Sequence, residues 1–195
     1  MNKGKIVIIS GPSGSGKTTL YKKLLASKRL AKRLVKSISM TTRLPRRGEK
    51  HGRDYLFIDK TGFLAKKRAG HFLESQKVFE NYYGTPKQNV EELLDKGQNV
   101  LLCIDVKGAR VVGQQYPDAV TIFITVPSLV ELKKRLNTRG SESEKDFNLR
   151  MRTARKELQQ VKRYKHVVIN DDLKKAYRKL ENIVCQELTL CRCGF

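Results

Sequence analysis

The residues with the plainest chemistry are Gly11-Pro12-Ser13-Gly14-Ser15-Gly16-Lys17-Thr18, which satisfy every fixed position of G-x-x-x-x-G-K-[ST]. Glycines let main-chain N–H groups close on phosphate oxygens, and a helix starting at their end adds the positive pole of its dipole. Lys17 brings a point charge to the β- and γ-phosphates. The Thr18 hydroxyl is a hard oxygen ligand suited to Mg²⁺. Ser13, Ser15 and Thr19 complete a donor set with Gly11, Gly14 and Gly16. Such a set cradles nucleotide phosphates, and the open question is which second molecule receives a phosphoryl group.

The flanking elements must hold that loop in place. Lys5-Ile6-Val7-Ile8-Ile9 is a short β-branched strand, and Leu20, Leu24 and Leu25 recur at helical spacing after the glycines. Nearly continuous apolar runs at 99–106 (NVLLCIDV) and 119–126 (AVTIFITV) predict parallel strands covered on both faces. HVVIN at 166–170 predicts another. Ser128 precedes Glu131 by three, a capping box opening a helix. Asp171 or Asp172 caps the last helix, whose apolar face comprises Leu173, Ala176, Tyr177, Leu180, Ile183, Val184 and Leu188. Strands alternating with helices predict an α/β P-loop kinase fold with a parallel sheet core flanked by helices. Between them, 32–58 lacks helical period and reads as short strands and turns, with Ser37, Ser39, Thr41 and Arg43 alternating onto one face. Residues 70–85 continue this β-rich insert, and a helix follows near 86–96.

Composition bounds the function. The 195 residues suit one domain with inserted lobes, 39% hydrophobic and 31% charged. No run approaches the ~18 apolar residues of a membrane span, and the N-terminal apolar stretch is too short for a secretory signal. The expectation is a cytoplasmic protein, monomer or homodimer, with no membrane partner. The net charge of +22 is extreme. Its lysines and arginines are spread through every segment rather than gathered in one stripe. That favours a basic surface plus a site for polyanionic small molecules, with non-specific polyanion binding at low salt and no dedicated nucleic-acid partner. Cys103 lies in an apolar run. Cys185, Cys191 and Cys193 lack the second pair or histidines of a zinc site and read as free thiols.

From Ser39 to Asp105 the chain resembles guanylate kinase, through SISMTTRLPRRGEKHGRDY (37–55), FLES (72–75), NYYGT (81–85), IDVKGA (104–109) and VIND (168–171). The resemblance implies Mg²⁺-dependent transfer of the ATP γ-phosphoryl group to GMP, and to dGMP, in purine nucleotide metabolism. It assigns Arg43, Arg46, Tyr55 and Tyr83 to the acceptor phosphate, and Ser39, Glu74, Thr85 and Asp105 to guanine. The chemistry agrees. Arg pairs bidentately with phosphate, while guanine offers N1–H and N2–H₂ donors that a carboxylate accepts. Adenine would leave Glu74 facing an acceptor, a mismatch worth factors on the order of 10⁴. Singly, these arginines also read as solvated loop charges and the tyrosines as sheet packing.

The resemblance further implies a lid carrying Arg135, Arg139 and Arg150, which with Lys17 and Arg43 would stabilise the transferring group. It places Asn170 and Asp171 near the donor adenine, helix capping by Asp171 being an equal explanation. The expected division is a core of about 1–36, 97–128 and 160–195, a β-rich GMP-binding insert of about 37–96 and a short helical lid of about 129–159. One departure stands out: Cys103 occupies a position where the family usually carries an acid, and a thiol is a poor partner for Mg²⁺. Two other readings stand beside it. One is a P-loop kinase for another monophosphate or a sugar phosphate, which would keep the loop; the other is a non-catalytic interaction module, against which the intact Gly11–Thr18 loop speaks.

Overall fold

The computed structural model describes residues 3–137 and 144–189. Its centre is a five-stranded parallel sheet in which β1 (Ile6–Ser10) lies between β7 (Asn99–Cys103) and β8 (Val120–Thr125), with β2 (Leu34–Lys36) and β9 (His166–Ile169) at the edges. All five β1 residues are buried, because alternate side chains enter two separate apolar layers. Val7 and Ile9 join α1 (Lys17–Leu25) and α7 (Leu173–Thr189) on one face. Ile6 and Ile8 join α3 (Lys87–Asp95) and α4 (Val106–Gln115) on the other. Truncating a fully buried side chain such as Leu101 to alanine in either layer costs about 2–5 kcal/mol. The helices that follow the adjacent strands β1 and β7, α1 and α4, lie on opposite faces of the sheet, and the crevice this opens beyond the carboxyl ends of the strands is where ligands of such sheets sit.

A second, four-stranded sheet projects beside that crevice in the order β4 (Leu56–Phe57), β3 (Met40–Thr41), β6 (Asn81–Pro86), β5 (Phe72–Val78). It carries a helix that sequence reading passed over, α2 (Lys60–Arg68). The signals were present: Asp59 accepts from the Gly62 N–H at 2.8 Å as N-cap, and Gly70 follows the helix at φ 71°. Phe63 of α2 is fully buried, stacked on Phe72 at 4.6 Å. The segment expected to form the lid contains α5 (Leu129–Asn137) and α6 (Glu144–Leu158), joined through Leu132, Leu136, Ala154 and Met151. Among the described residues no helix is long and apolar enough to cross a membrane.

Three local expectations need correction. Ser37, Ser39, Thr41 and Arg43 do not share a face: Ser37 and Thr41 are buried while Ser39 and Arg43 reach the cavity. The strand breaks after Lys36, where the chain passes from the large sheet to the small one, and the alternation is lost. Leu173 lies at the start of α7 and is exposed, because that helix meets the core only from Ala176 onward. At Ser128 half of the capping box forms. The Glu131 N–H donates to Ser128 Oγ at 3.1 Å, but the Glu131 carboxylate accepts from Arg135 Nε at 2.7 Å, a charge-assisted bond that wins over the return contact. Asp172 caps α7 through the Lys175 N–H at 2.8 Å.

Candidate active site

The phosphate loop begins where β1 runs out. Gly11 has φ 136° and passes so close to β8 that a Cβ would lie 2.1 Å from the Ile124 carbonyl oxygen. Gly16, the N-cap of α1, has φ 88°, and a Cβ there would strike Asn170 Nδ2 at 2.3 Å. Both positions accept only glycine. Asn170 is buried and donates to the Ser15 carbonyl at 2.8 Å. It braces the loop from behind rather than reaching the cavity, while Asp171 is exposed and accepts from the Asp172 N–H. Lys17 folds back over the loop, its Nζ donating to the carbonyls of Gly11 at 2.5 Å and Pro12 at 2.9 Å. Gly11, Ser13, Gly14, Gly16, Lys17, Thr18 and Thr19 line a cavity of about 410 Å³. Ser15 is fully buried, and its hydroxyl has no hydrogen-bond partner among the described residues.

The same cavity extends under the small sheet. There Glu74, 7% exposed, accepts from Thr85 Oγ1 at 2.7 Å across the β5–β6 pair. Burial pushes its carboxyl up to about 7, with the nearby Asp105 pushing the same way and the Thr85 hydroxyl opposing. Asp105 lines the cavity too and accepts from the Gly108 N–H at 2.7 Å as N-cap of α4. Ser39, Arg43, Arg46, Tyr55 and Tyr83 complete this end. Tyr55 and Tyr83 meet edge to face at 6.1 Å, and the Arg43 guanidinium lies 5.4 Å from the Tyr55 ring centre. Thr85 is fully buried behind Glu74 and touches the site through it.

Of the lid residues, Arg150 lines the cavity and lies 5.5 Å from the ring centre of Phe79, at the tip of the β5–β6 hairpin. Arg135 is bonded to Glu131 on its own helix and is not part of the cavity wall. Arg139 lies outside the described residues, as do Cys191 and Cys193.

Three side chains escaped sequence reading because their roles depend on distant partners. Glu49 pairs with Arg43 at 2.9 Å and also accepts from the Arg46 N–H at 2.8 Å, holding both arginines on one turn. Lys36 sits 5.1 Å from the Tyr21 ring centre and 5.6 Å from that of Tyr55, and donates to the Asp54 carbonyl. Glu157 of α6 lines the phosphate end of the cavity, its carboxyl pushed up to about 7 by burial. A basic or acidic residue on a helix or loop gives no local sign of such a placement.

Among the described residues no group of three His, Cys, Asp or Glu could hold a metal. Mg²⁺ does not require one, since it keeps several waters and is held largely by substrate phosphates with one or two protein oxygens. The Thr18 hydroxyl in the cavity wall fits that pattern. Cys103, at the end of β7 in the same wall, does not; burial pushes its thiol up, away from the thiolate.

A family model described as guanylate kinase matches residues 3–187. The guanylate kinase of Clostridium tetani is 44% identical over 187 residues, covering 96% of this chain and 88% of that protein. That of Rickettsia bellii is 42% identical over 186 residues, covering 95% and 96% respectively. The crystal structure of guanylate kinase from Anaplasma phagocytophilum superposes with a TM-score of 0.78 at 34% identity, covering 96% of this chain and 88% of that one.

Proposed function

The chain belongs to the guanylate kinase family and transfers a phosphoryl group from ATP to GMP, and we propose that its cavity residues divide this task between a donor half and an acceptor half. The observation that carries the division is the buried Glu74–Thr85 pair in one cavity with the phosphate loop. A carboxylate held in place by the Thr85 hydroxyl behind it matches guanine's N1–H, N2–H₂ edge and leaves adenine with an unpaired acceptor. Ser39 and Asp105 line the same cavity.

In this reading the loop amides from Gly11 to Thr18 cradle the donor's phosphates, and Lys17 leaves the Gly11 and Pro12 carbonyls for them. Arg43, Arg46, Tyr55 and Tyr83 grip the phosphate of GMP. That phosphate is already anionic near neutral pH, so attack in line on the γ-phosphorus needs no general base, and catalysis is positioning plus charge stabilisation. Thr18 would hold Mg²⁺, which when bound offsets part of the charge of the two nucleotides. Arg150 already lies at the acceptor lobe, and Arg135 and Arg139 join it as the lid shuts out water. Every assigned contact is to base or phosphate, which is why dGMP is accepted. Asn170 and Asp171 serve the donor side indirectly, the first by bracing Ser15. The lobes fall at about 37–96 for the acceptor and about 129–159 for the lid, the rest being core.

The test is a coupled ADP assay with GMP, dGMP, AMP, UMP and CMP as acceptors. GMP and dGMP are expected to turn over, with the others down by about 10³-fold or more in kcat/KM. Comparable turnover of AMP or UMP would overturn the guanine assignment of Glu74.

A further inference from the structure

A carboxylate in a pocket built for polyphosphates demands a reason. Three carboxylates line the cavity, and two are tied into the acceptor side: Glu74 to Thr85, Asp105 to the Gly108 N–H. The third, Glu157, comes from lid helix α6 and lines the cavity together with Ser13 and Lys17 of the phosphate loop, both of which favour its charged form. Arg150 stands seven residues earlier, two turns along the same face of α6. That face therefore reaches both halves of the site, with a cation against Phe79 of the acceptor lobe and an anion against the donor loop. The base of the lid is coupled to the same loop by packing. The side chains of Leu132 and Leu136 lie about Gly14, and both belong to the apolar cluster that contains Ala154 of α6.

We infer that Glu157 is a positioning residue for the lid, setting a carboxylate of α6 beside the phosphate loop in direct competition with the donor nucleotide, so that it must be neutralised for ATP to bind. The charged and titratable groups facing it are Lys17 from α1, Asp105 ahead of α4 and the Tyr164 phenol ahead of β9. Burial first, then Asp105, raises its carboxyl, while Lys17 and the Ser13 N–H oppose; at about 7 it takes up a proton near neutrality. Incoming phosphates add negative charge and favour that protonation further. ATP entry thus neutralises the donor end of α6 and leaves Arg150 to follow the phosphates.

The inference rests on the donor reading of the loop, and its test separates the two. Equilibrium ATP affinity is compared for the wild type and Glu157→Gln at about pH 6 and about pH 8. If binding requires a neutral side chain at 157, the variant binds no better than wild type at the lower pH and about tenfold more tightly at the higher, one unit above the group's titration point. Affinities within twofold of each other at both values, or weaker binding by the variant at both, would overturn it. Calorimetry on the unaltered protein gives a second measure independent of the variant's folding. At about pH 8, in two buffers of different ionisation enthalpy, ATP binding takes up close to one proton; no uptake sinks the inference. A wild type that binds no ATP at either pH overturns the donor assignment itself, and this inference with it.

Discussion

The two halves of the cavity are built from different materials. In the proposed donor half eight consecutive residues, 11–18, present mainly backbone: positions 11 and 16 leave no room for a side chain, Asn170 braces Ser15 from behind, and Lys17 supplies the one charge. In the acceptor half the groups come from Ser39, Arg43, Glu74, Tyr83 and Asp105, spread over more than sixty residues and set by the pairing of β3, β5 and β6. Backbone amides read charge and cannot tell one base from another. Side chains can, but only when they are held in place, as Thr85 holds Glu74 and Glu49 holds Arg43. On the proposed division, affinity for phosphate and selectivity for guanine are separable.

Mutations test that separation, the most damaging first. Lys17→Met removes the one side-chain charge of the donor loop and is expected to lower kcat by about 10³-fold, with GMP binding retained in an equilibrium titration. Lost GMP binding would show the halves to be one unit. Glu74→Gln should do the converse. With up to two charge-assisted hydrogen bonds weakened, kcat/KM for GMP falls by about 10²-fold while ATP affinity stays within about twofold. The same residue sets a pH signature. Guanine's donors need the carboxylate, so below about 7 the wild type loses about tenfold per pH unit in kcat/KM for GMP relative to the variant. The sign reverses for folding. The native group binds its proton more tightly than the unfolded one, so its contribution to stability falls as pH rises from the ordinary carboxylate range to about 7. A flat ratio between the two proteins across pH 5 to 8 contradicts the carboxylate's role.

Cys103→Asp is a smaller perturbation of the shared wall. If Thr18, the phosphates and water suffice for Mg²⁺, turnover changes by less than about fivefold and the Mg²⁺ concentration giving half-maximal rate barely moves. A gain of orders of magnitude would show that this chain lacks a metal contact. Smallest of all is Ser15→Ala. The Ser15 hydroxyl is buried without a partner, and the loop uses only the residue's backbone, so ATP affinity should stay within about twofold and thermal stability hold or rise. A large loss would mean that the donor half reads side chains after all.

Legibility follows the same division. The donor loop could be read directly because its function lies in contiguous spacing and in residues whose backbone freedom is intrinsic. The parallel strands were equally plain, since burial on both faces leaves an unbroken apolar run in β7 and β8. The proposed acceptor set rests on resemblance to a known family, as no local pattern joins Arg43 to Glu74. Glu49, Lys36 and Glu157 were not legible at all, for each acts on a partner reached by folding: an arginine six residues back, two tyrosine rings, a loop 144 positions away. Ser37 and Thr41 show the limit of period-two reasoning, which holds inside a strand and fails where the chain changes sheets.

By itself the sequence determined that a phosphate-binding loop would sit between a buried strand and a helix, because short-range sterics and hydrophobic period are written residue by residue. Tertiary structure alone decided which charges meet. It turned Asn170 into a brace, set Glu74 in a dry pocket where its carboxyl holds a proton up to about 7, and brought Glu157 of the lid against Ser13. Electrostatic character depends on burial and on neighbours distant in the chain, and neither exists until the chain has folded.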